Sequence, residues 1–387
     1  MDLKLIENLN SGDSFKRLDT LREIKREVDK SISNTVYKGN DVNSHIHTFY
    51  SFSPYSPSAA VYKSYEAGLV TTGIMDHDSI SGAREFIEAG KILGMPTTIG
   101  AELRVDFSGT KIEGKKINNP DQETVAYVAM HGVPHSAIDA LTDFFKPILV
   151  NRGIRNRKMT DKINELLGSA AIFIDYDKDV QPLSMSLEGG SVTERHLLYA
   201  VSKKITSRYG KGIDVLKFLS DKLGITVKGS AEIFLSDSDN PVYEYDLLNV
   251  LKGNMVEQFY VPATDEALDV ATVSRFAEKH GIILAYAYLG DVTDSVTGDK
   301  KAQKFEDDFL DDVFETIYEF GFKSVTYMPS RNTGRQLERL RGLCDKYNLF
   351  QISGEDINQP RQKFVCEAMR SEEFSNLYDS AWALIGH

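Results

Sequence analysis

The sequence predicts an α/β protein built on a parallel sheet or barrel and interrupted by a long helical block. Three observations predict it. Short apolar runs alternate with helical segments from residue 41 onward, and strand, helix, strand at this spacing means parallel strands. Strand signals become sparse from about 136 to 230, and the alternation resumes after about 255. An amphipathic segment precedes all of this at the N-terminus.

That first segment spans 14–31. Leu18, Leu21, Ile24 and Val28 recur at spacings of three and four with charges between them, the pattern of a helix with one apolar face. Val70 to Met75 is a predicted strand ending at Asp76-His77-Asp78. A helix follows over 81–93, with Ala83, Phe86, Ile87 and Leu93 on one face and Gly94 as the stop. Thr97 to Leu103 and residues 123–131 are the next strands. Beyond the helical block, strands are predicted at Phe259 to Pro262, Ile282 to Tyr288, Ser324 to Met328 and Phe350 to Ser353. Helices at 265–280, 303–320, 332–347 and 371–384 separate or follow them. The resulting division is an N-terminal helical extension over 1–40, a main body from 41–135 and 256–387, and an inserted, mostly helical subdomain over 136–255 that would form a lid.

Composition limits the function classes. At 387 residues the chain suits one large domain with an insertion, or two domains. Hydrophobic residues at 41% and charged residues at 26% allow a large core and argue against disorder. No apolar run approaches the roughly 18 residues of a spanning helix, so no membrane partner is expected. The start Met1-Asp2-Leu3-Lys4 lacks a signal-peptide pattern. Cys344 and Cys366 form neither a disulfide framework nor a zinc ribbon. A cytoplasmic location is the expectation. The net charge of −12 argues against a broad nucleic-acid surface. A local cationic pocket is compatible with it.

The chemistry concentrates at strand ends. In Asn43-Ser44-His45-Ile46-His47, the two imidazoles share one face of a strand and can point at one ion. His77 lies between Asp76 and Asp78 just past an apolar run, Glu102 ends the next strand, and Asp356 follows the last one. Parallel barrels build their sites at such ends. Imidazoles with carboxylates suit zinc, manganese or iron. Asp76 and Asp78 either orient His77 by hydrogen bonding or serve a turn and helix cap.

The order His-x-His, Asp-His-Asp, Gly-x-Glu and a late Gly-x-Asp resembles the PHP (polymerase and histidinol phosphatase) superfamily. Val42 to Pro54 looks like its first motif, Gly73 to Ala83 its second, and Gly94 to Glu102 its third. The resemblance covers about 41–131 and 255–360. The helical insertion is similar to that of the nucleotide and nucleoside-phosphate phosphoesterase branch, as are the arginine-rich stretch at 152–157 and Val192-Thr-Glu-Arg195-His196. The resemblance implies a distorted seven-stranded (β/α) barrel, up to three divalent metals, and hydrolysis of a small phosphate ester by hydroxide that a metal makes available. It carries His45 and His47 over as ligands of one metal, His77 to a neighbouring one, Glu102 as a bridging carboxylate and Asp356 as the late ligand.

The chain departs from that pattern at several ligand positions. Phe52 stands where the family has an acidic residue or histidine. Asn358 replaces the histidine of a late Asp-x-His, and Ala285-Tyr286-Ala287 replaces Ala-His-Pro. Near the remaining histidine position fall Ala126 and Tyr127, with His131 a few residues on. Asn358 can ligate through its carbonyl oxygen, and Tyr286 can ligate or hydrogen-bond. One to two divalent ions are therefore expected, with three less favoured. Arg195 and His196, with Arg152 and Arg155 on one helix face, are the candidate binders of a substrate phosphate. The structural alternatives are a solvated helix face for Arg195 and a satisfied core histidine for His196. A small phosphorylated molecule, in one version a nucleotide, is the expected substrate. The competing reading is a degenerate fold that binds a ligand or partner without turnover.

Overall fold

The computed structural model describes residues 3–30, 39–291 and 304–387. Residues 31 and 303, the outer ends of two predicted helices, lie outside the described residues. The chain runs α1 (Leu3–Asn8), α2 (Ser14–Lys30), β1 (Val42–Ile46), α3 (Pro57–Glu66), β2 (Thr71–His77), α4 (Ala83–Leu93), β3 (Thr97–Asp106) and β4 (Val125–His131). It continues through α5 (Ile138–Leu167), α6 (Glu194–Tyr209), α7 (Ile213–Leu223), α8 (Ser230–Ser236) and α9 (Tyr243–Phe259). The last part comprises β5 (Leu268–Asp269), α10 (Val270–Lys279), β6 (Ile283–Ala287), α11 (Leu310–Glu319), β7 (Ser324–Tyr327), α12 (Gly334–Tyr347), β8 (Phe350–Ser353) and α13 (Ser375–Gly386).

Seven strands form one curved sheet in the order β1-β2-β3-β4-β6-β7-β8, with the short β5 added beside β3. The ends nearly meet. Just past β8, Ile357 bridges Ile46, its carbonyl accepts the His47 N–H at 2.9 Å, and its own N–H reaches the His45 carbonyl at 3.2 Å. The result is a nearly closed barrel in a mixed α/β protein. It corrects the expectation of a parallel sheet in one respect. β4 is antiparallel to both neighbours, β3 and β6. The physical reason is the connection: no helix separates β3 from β4, so the chain turns back without the crossover that parallel strands need. A second correction concerns Phe259 to Pro262. Met255, Val256 and Phe259 keep helical spacing and bury one face of α9, so the helix runs to Phe259. The local strand is instead the two-residue β5.

Register defines layers inside the barrel. His77 pairs with Glu102, Glu102 with Ala129, and Ala129 with Ala285. One step down lie Met75, paired with Gly100, and His131, paired with Ile283. Because strand side chains alternate between faces, these residues point inward, and Met75, Ala129 and Ala285 pack there as a small apolar group. The outward residues join α4, α10 and α11 in the main core. A second apolar cluster, including Leu198, Val201, Leu248 and Leu251, is formed almost wholly by 159–259. Phe52 is its single member from the strand region. α2 lays Leu21 and Ile24 onto the body, and Arg17 forms a buried ion pair with Glu85 of α4. Among the described residues no helix is long and apolar enough to cross a membrane.

Gly100 keeps the barrel interior open beneath the site. A Cβ there would lie 2.5 Å from the Met130 carbonyl oxygen and 2.7 Å from Met75 Cε. Backbone on one side cannot yield as a side chain can. Gly100→Ala is expected to destabilise by about 1–3 kcal/mol, the cost of overpacking, measured by urea unfolding with an unchanged m-value.

Candidate metal centre

The pleat of β1 and β2 sets the geometry. His45 and His47 share the inner face of one strand and its exit, and His77 closes the next strand. Their rings cluster, with centroids 5.2 Å apart for His45 and His47 and 4.8 Å for His47 and His77. Two carboxylates meet them. Glu102 Oε2 lies 3.3 Å from His77 Nδ1 and 3.9 Å from His45 Nε2. Asp356 Oδ1 lies 3.1 Å from His47 Nε2. Ligand atoms about 2.0–2.1 Å from a tetrahedral ion stand about 3.3–3.4 Å apart, and these contacts fall on either side of that value. One ligand atom each from His45, His47 and Glu102 lies within 4.8 Å of the others, and all three residues are buried. The donor set therefore fits a divalent ion, held by these three with His77 and Asp356 beside them.

A hydrogen-bond chain behind His47 orients it. The Asp76 carboxylate accepts from the Thr48 N–H and the Thr48 hydroxyl, both at 2.6 Å, and from the Ser51 hydroxyl at 2.7 Å. With its proton given to Asp76, the Ser51 oxygen accepts from His47 Nδ1 at 3.2 Å. Nδ1 donates there, and Nε2 faces the site, 3.1 Å from Asp356 Oδ1. Burial pushes His47 down, but the charge and hydrogen bond of Asp356 outweigh it and raise His47 above the ordinary histidine value; a bound cation would take the place of the Nε2 proton while Ser51 keeps the one on Nδ1. Asp76 thus acts on His47 through Ser51, where sequence had paired it with His77. Asp78 forms a 2.5 Å ion pair with Arg152.

Burial dominates the electrostatics. It pushes His45 down to about 4, helped by His47, and holds His77 well below the ordinary histidine value. Burial also lifts Glu102 to about 7 against the pull of His47. For Asp356 burial acts upward, but the charge and hydrogen bond of His47 outweigh it and hold the carboxyl far below its usual range. His45 and His77 are consequently neutral at pH 7, the form that binds metals.

The replaced positions have other work. Asn358 Nδ2 donates to both oxygens of Asp356, at 2.9 and 2.8 Å, so its amide steers the carboxylate. Phe52 meets the His196 ring edge-on at 4.9 Å and lies 5.8 Å from Tyr199 and Tyr245. Tyr286 is on the outer face of β6 in the main core, with Glu306 nearby, on the side away from the histidines. Tyr127 is on the inner face, its ring 5.7 Å from His77 and 5.3 Å from the Arg104 guanidinium carbon. His131 lies one layer below Glu102, with its ring 6.4 Å from that of His45.

A cavity of about 740 Å³ opens above the histidines, with His45, His47, His77 and Glu102 at its base and Arg195 and Asn249 on its helical wall. Arg195 is close enough to Asp356 to help lower that carboxyl, and its Nη1 lies 3.5 Å from Asn249 Oδ1. His196 turns away: its Nδ1 accepts the Thr193 N–H at 3.0 Å and caps α6. Arg152 and Arg155 join a buried charge cluster that sequence reasoning missed. Glu266 Oε1 receives Arg104 at 2.7 Å, Arg152 at 3.1 Å and Arg155 at 3.3 Å. Glu194 receives Arg104 at 2.8 Å and Arg155 at 2.7 Å. With Asp78, three arginines meet three carboxylates. Arg104 sits two residues beyond Glu102 on the same face, which is the one local signal that it belongs near the site.

No family model matches the sequence, and no curated protein matches it significantly. Solved structures do resemble the fold. A provisionally assigned metal-dependent phosphoesterase from Bifidobacterium adolescentis aligns at a TM-score of 0.55 and 17% identity, over 84% of this chain and 90% of that one. An amidohydrolase from Chromobacterium violaceum, with bound sulfate and no metal, aligns at 0.55 and 15%, over 84% and 89%. At such identities the likeness is one of fold.

The charge cluster yields a stability prediction. Glu266→Gln removes the carboxylate on which three arginines converge and leaves uncompensated buried charge. A loss of about 3–5 kcal/mol is expected, read from chemical denaturation. A loss under 1 kcal/mol would show that water already solvates these groups.

Proposed function

We propose that the chain is a metal-dependent hydrolase of PHP type acting on a small phosphate ester. The observation that supports this best is the convergence of His45, His47 and His77 on Glu102 and Asp356, at ligand spacing, at the base of a cavity walled by Arg195. The phosphoesterase assignment of one structural neighbour and the sulfate bound to the other favour the same chemistry. One or two divalent ions, zinc, manganese or iron, suit the donors present. A cation held there supplies Lewis acidity and makes water a nucleophile at neutral pH.

The chain's own groups do the rest. Ser51 and Asp76 hold the His47 tautomer. Glu102 and Asp356 bring negative charge that neutralises the ion and fixes its place. Arg195 offers N–H donors to the phosphoryl oxygens from the opposite wall. Arg152 and Arg155 act at one remove, by holding α5 and α6 in place with Glu266 and Glu194. We propose that residues 136–255 form an inserted lid whose apolar underside, anchored by Phe52, keeps bulk water from the base of the cavity. A nucleotide is one substrate that would fit such a lid.

A second reading has its own support. Asn358 occupies both oxygens of Asp356, and Phe52 is apolar, so two positions that could carry further ligands do not. A binding protein without turnover would show the same features.

The test is elemental analysis beside a phosphatase screen. Wild-type protein is expected to carry one to two ions per chain, and the double variant His45→Ala, His47→Ala to carry fewer than half as many and to lose activity. Unchanged metal content in that variant would refute the site. Metal without any phosphatase activity would favour the binding reading. Asn358→His frees Asp356 from the amide and adds a donor, and it is expected to raise the metal content measured in the same assay.

A further inference from the structure

We propose that His131 is a positioning residue that fixes the orientation of His45 through one bridging water. The proposal rests on the metal-site reading above and assigns a role to a buried histidine that would otherwise be unexplained.

His131 ends β4, the strand that runs against its neighbours. Register places it one layer beneath Glu102, level with Gly100, Met75 and Ile283. Its neighbours there on β2, β3 and β6 offer it no polar side chain. The small group Met75, Ala129 and Ala285 is apolar, and Gly100 has no side chain at all. Both ring nitrogens of His131 are buried and bond to no group among the described residues. Two such atoms would each cost about 1–3 kcal/mol if left without a partner. The neighbouring ring is that of His45, whose Nδ1 is also buried and unbonded among the described residues.

The two rings stand at 67°, with centroids 6.4 Å apart. A direct ring-to-ring hydrogen bond of about 2.9 Å would draw them closer than this. A single water with one bond to each ring spans it, and the polar pair meets the requirement that a buried water has partners.

The need for such a partner follows from His45. Its Nε2 is the atom that faces Glu102, so a cation would be met by Nε2 and the proton would reside on Nδ1. A ligating imidazole donates that other N–H to an acceptor, which fixes tautomer and ring angle. His47 has Ser51 and Asp76 for this purpose. His45 has none on its own strand, and His131 supplies one. A neutral ring retains one acceptor nitrogen. His131 is not among the residues whose ligand atoms gather within 4.8 Å, so its role is orientation and not coordination.

The test compares His131→Leu and His131→Gln with wild type in zinc competition against a chromophoric chelator, alongside thermal unfolding of the metal-free forms. His131→Leu is expected to weaken zinc binding 10–100-fold at unchanged stoichiometry. Its metal-free melting temperature should be equal to or above wild type, since a buried polar ring gives way to an apolar side chain. His131→Gln keeps a hydrogen-bonding end and should bind zinc within a few-fold of wild type. A merely structural histidine would lower stability without changing affinity. Long-range proton–nitrogen spectra should show His45 with a single protonated Nδ1 in wild type and mixed tautomers in His131→Leu. Unchanged affinity in His131→Leu overturns the proposal, as does a drop in stoichiometry, which would make His131 a ligand. Should His131→Leu fail to fold, His131→Asn, too short to reach the water, is expected to show the same loss of affinity. A wild-type chain that takes up no zinc, manganese or iron would refute the metal site itself, a result distinct from the two above.

Discussion

The arrangement of the cavity depends on one buried contact, the meeting of three arginines at Glu266. Arg104 comes from a barrel strand, Arg152 and Arg155 from α5, and Glu194 from the first turn of α6. Each of these charges would be costly alone in the interior, by several kcal/mol. Together they approach neutrality, and each donor fork is matched to a carboxylate. Removing any member strands the others, so the cluster forms as a unit or not at all. Its geometric effect is to pin two helices to the strand that carries Glu102. Arg195 directly follows Glu194, so the contact that anchors α6 also places the cation-bearing wall opposite the histidines.

That cluster also explains why the sequence was informative about the candidate metal ligands and silent about the rest. His45, His47, His77 and Glu102 sit at or near the ends of apolar runs, and the period-2 pleat decides where they point. Asp356 follows an equally clear strand. Local pattern suffices for such residues. Arg152 and Arg155 share a helix face as expected, but what that face meets depends on Glu266, more than a hundred positions away. Nothing in the neighbourhood of Glu266 distinguishes it from a surface glutamate. The direction of β4 was hidden for a related reason, since apolar alternation records a strand but not its sense. α3 was legible and went unread: Ser56 caps it and Pro57 stands at its first position. Phe259 to Pro262 misled because four apolar or aromatic residues resemble a buried strand, while the helix period that governs them starts at Met255.

The altered ligand positions show how a changed residue is absorbed by its surroundings. Phe52 leaves the polar side of the barrel and becomes the one strand-region member of the helical apolar cluster. An acidic side chain there would face aromatic rings from Tyr199 and Tyr245 and a histidine that is itself used in a cap. Asn358 keeps the length of a ligand but presents its amide nitrogen to Asp356. Tyr286 faces outward because residues in a strand alternate, and Ala285 and Ala287 take the inner positions. The centre is thus drawn toward Glu102 and the three histidines, with one aspartate held ready beside them.

The same reasoning bears on charge. The chain is acidic overall at −12, yet the cavity is not forbidden to an anion. Long-range repulsion between exposed charges fades within about 8–10 Å at physiological salt. At contact the field is set by neighbours a few ångströms away. The arginines of the buried cluster contribute little net field there, because carboxylates already match them. Arg195, whose charge reaches Asp356, and a divalent ion among the histidines would then be among the local cations that an incoming phosphate meets, with Lys252 and Arg331 also on the cavity lining. Affinity for an anion therefore depends on whether the site is loaded with metal, since without the ion the base of the cavity presents Glu102 and Asp356. On the proposed reading, an acidic floor that becomes cationic on metal uptake would make binding of ion and anion cooperative, each favouring the other by the same free energy.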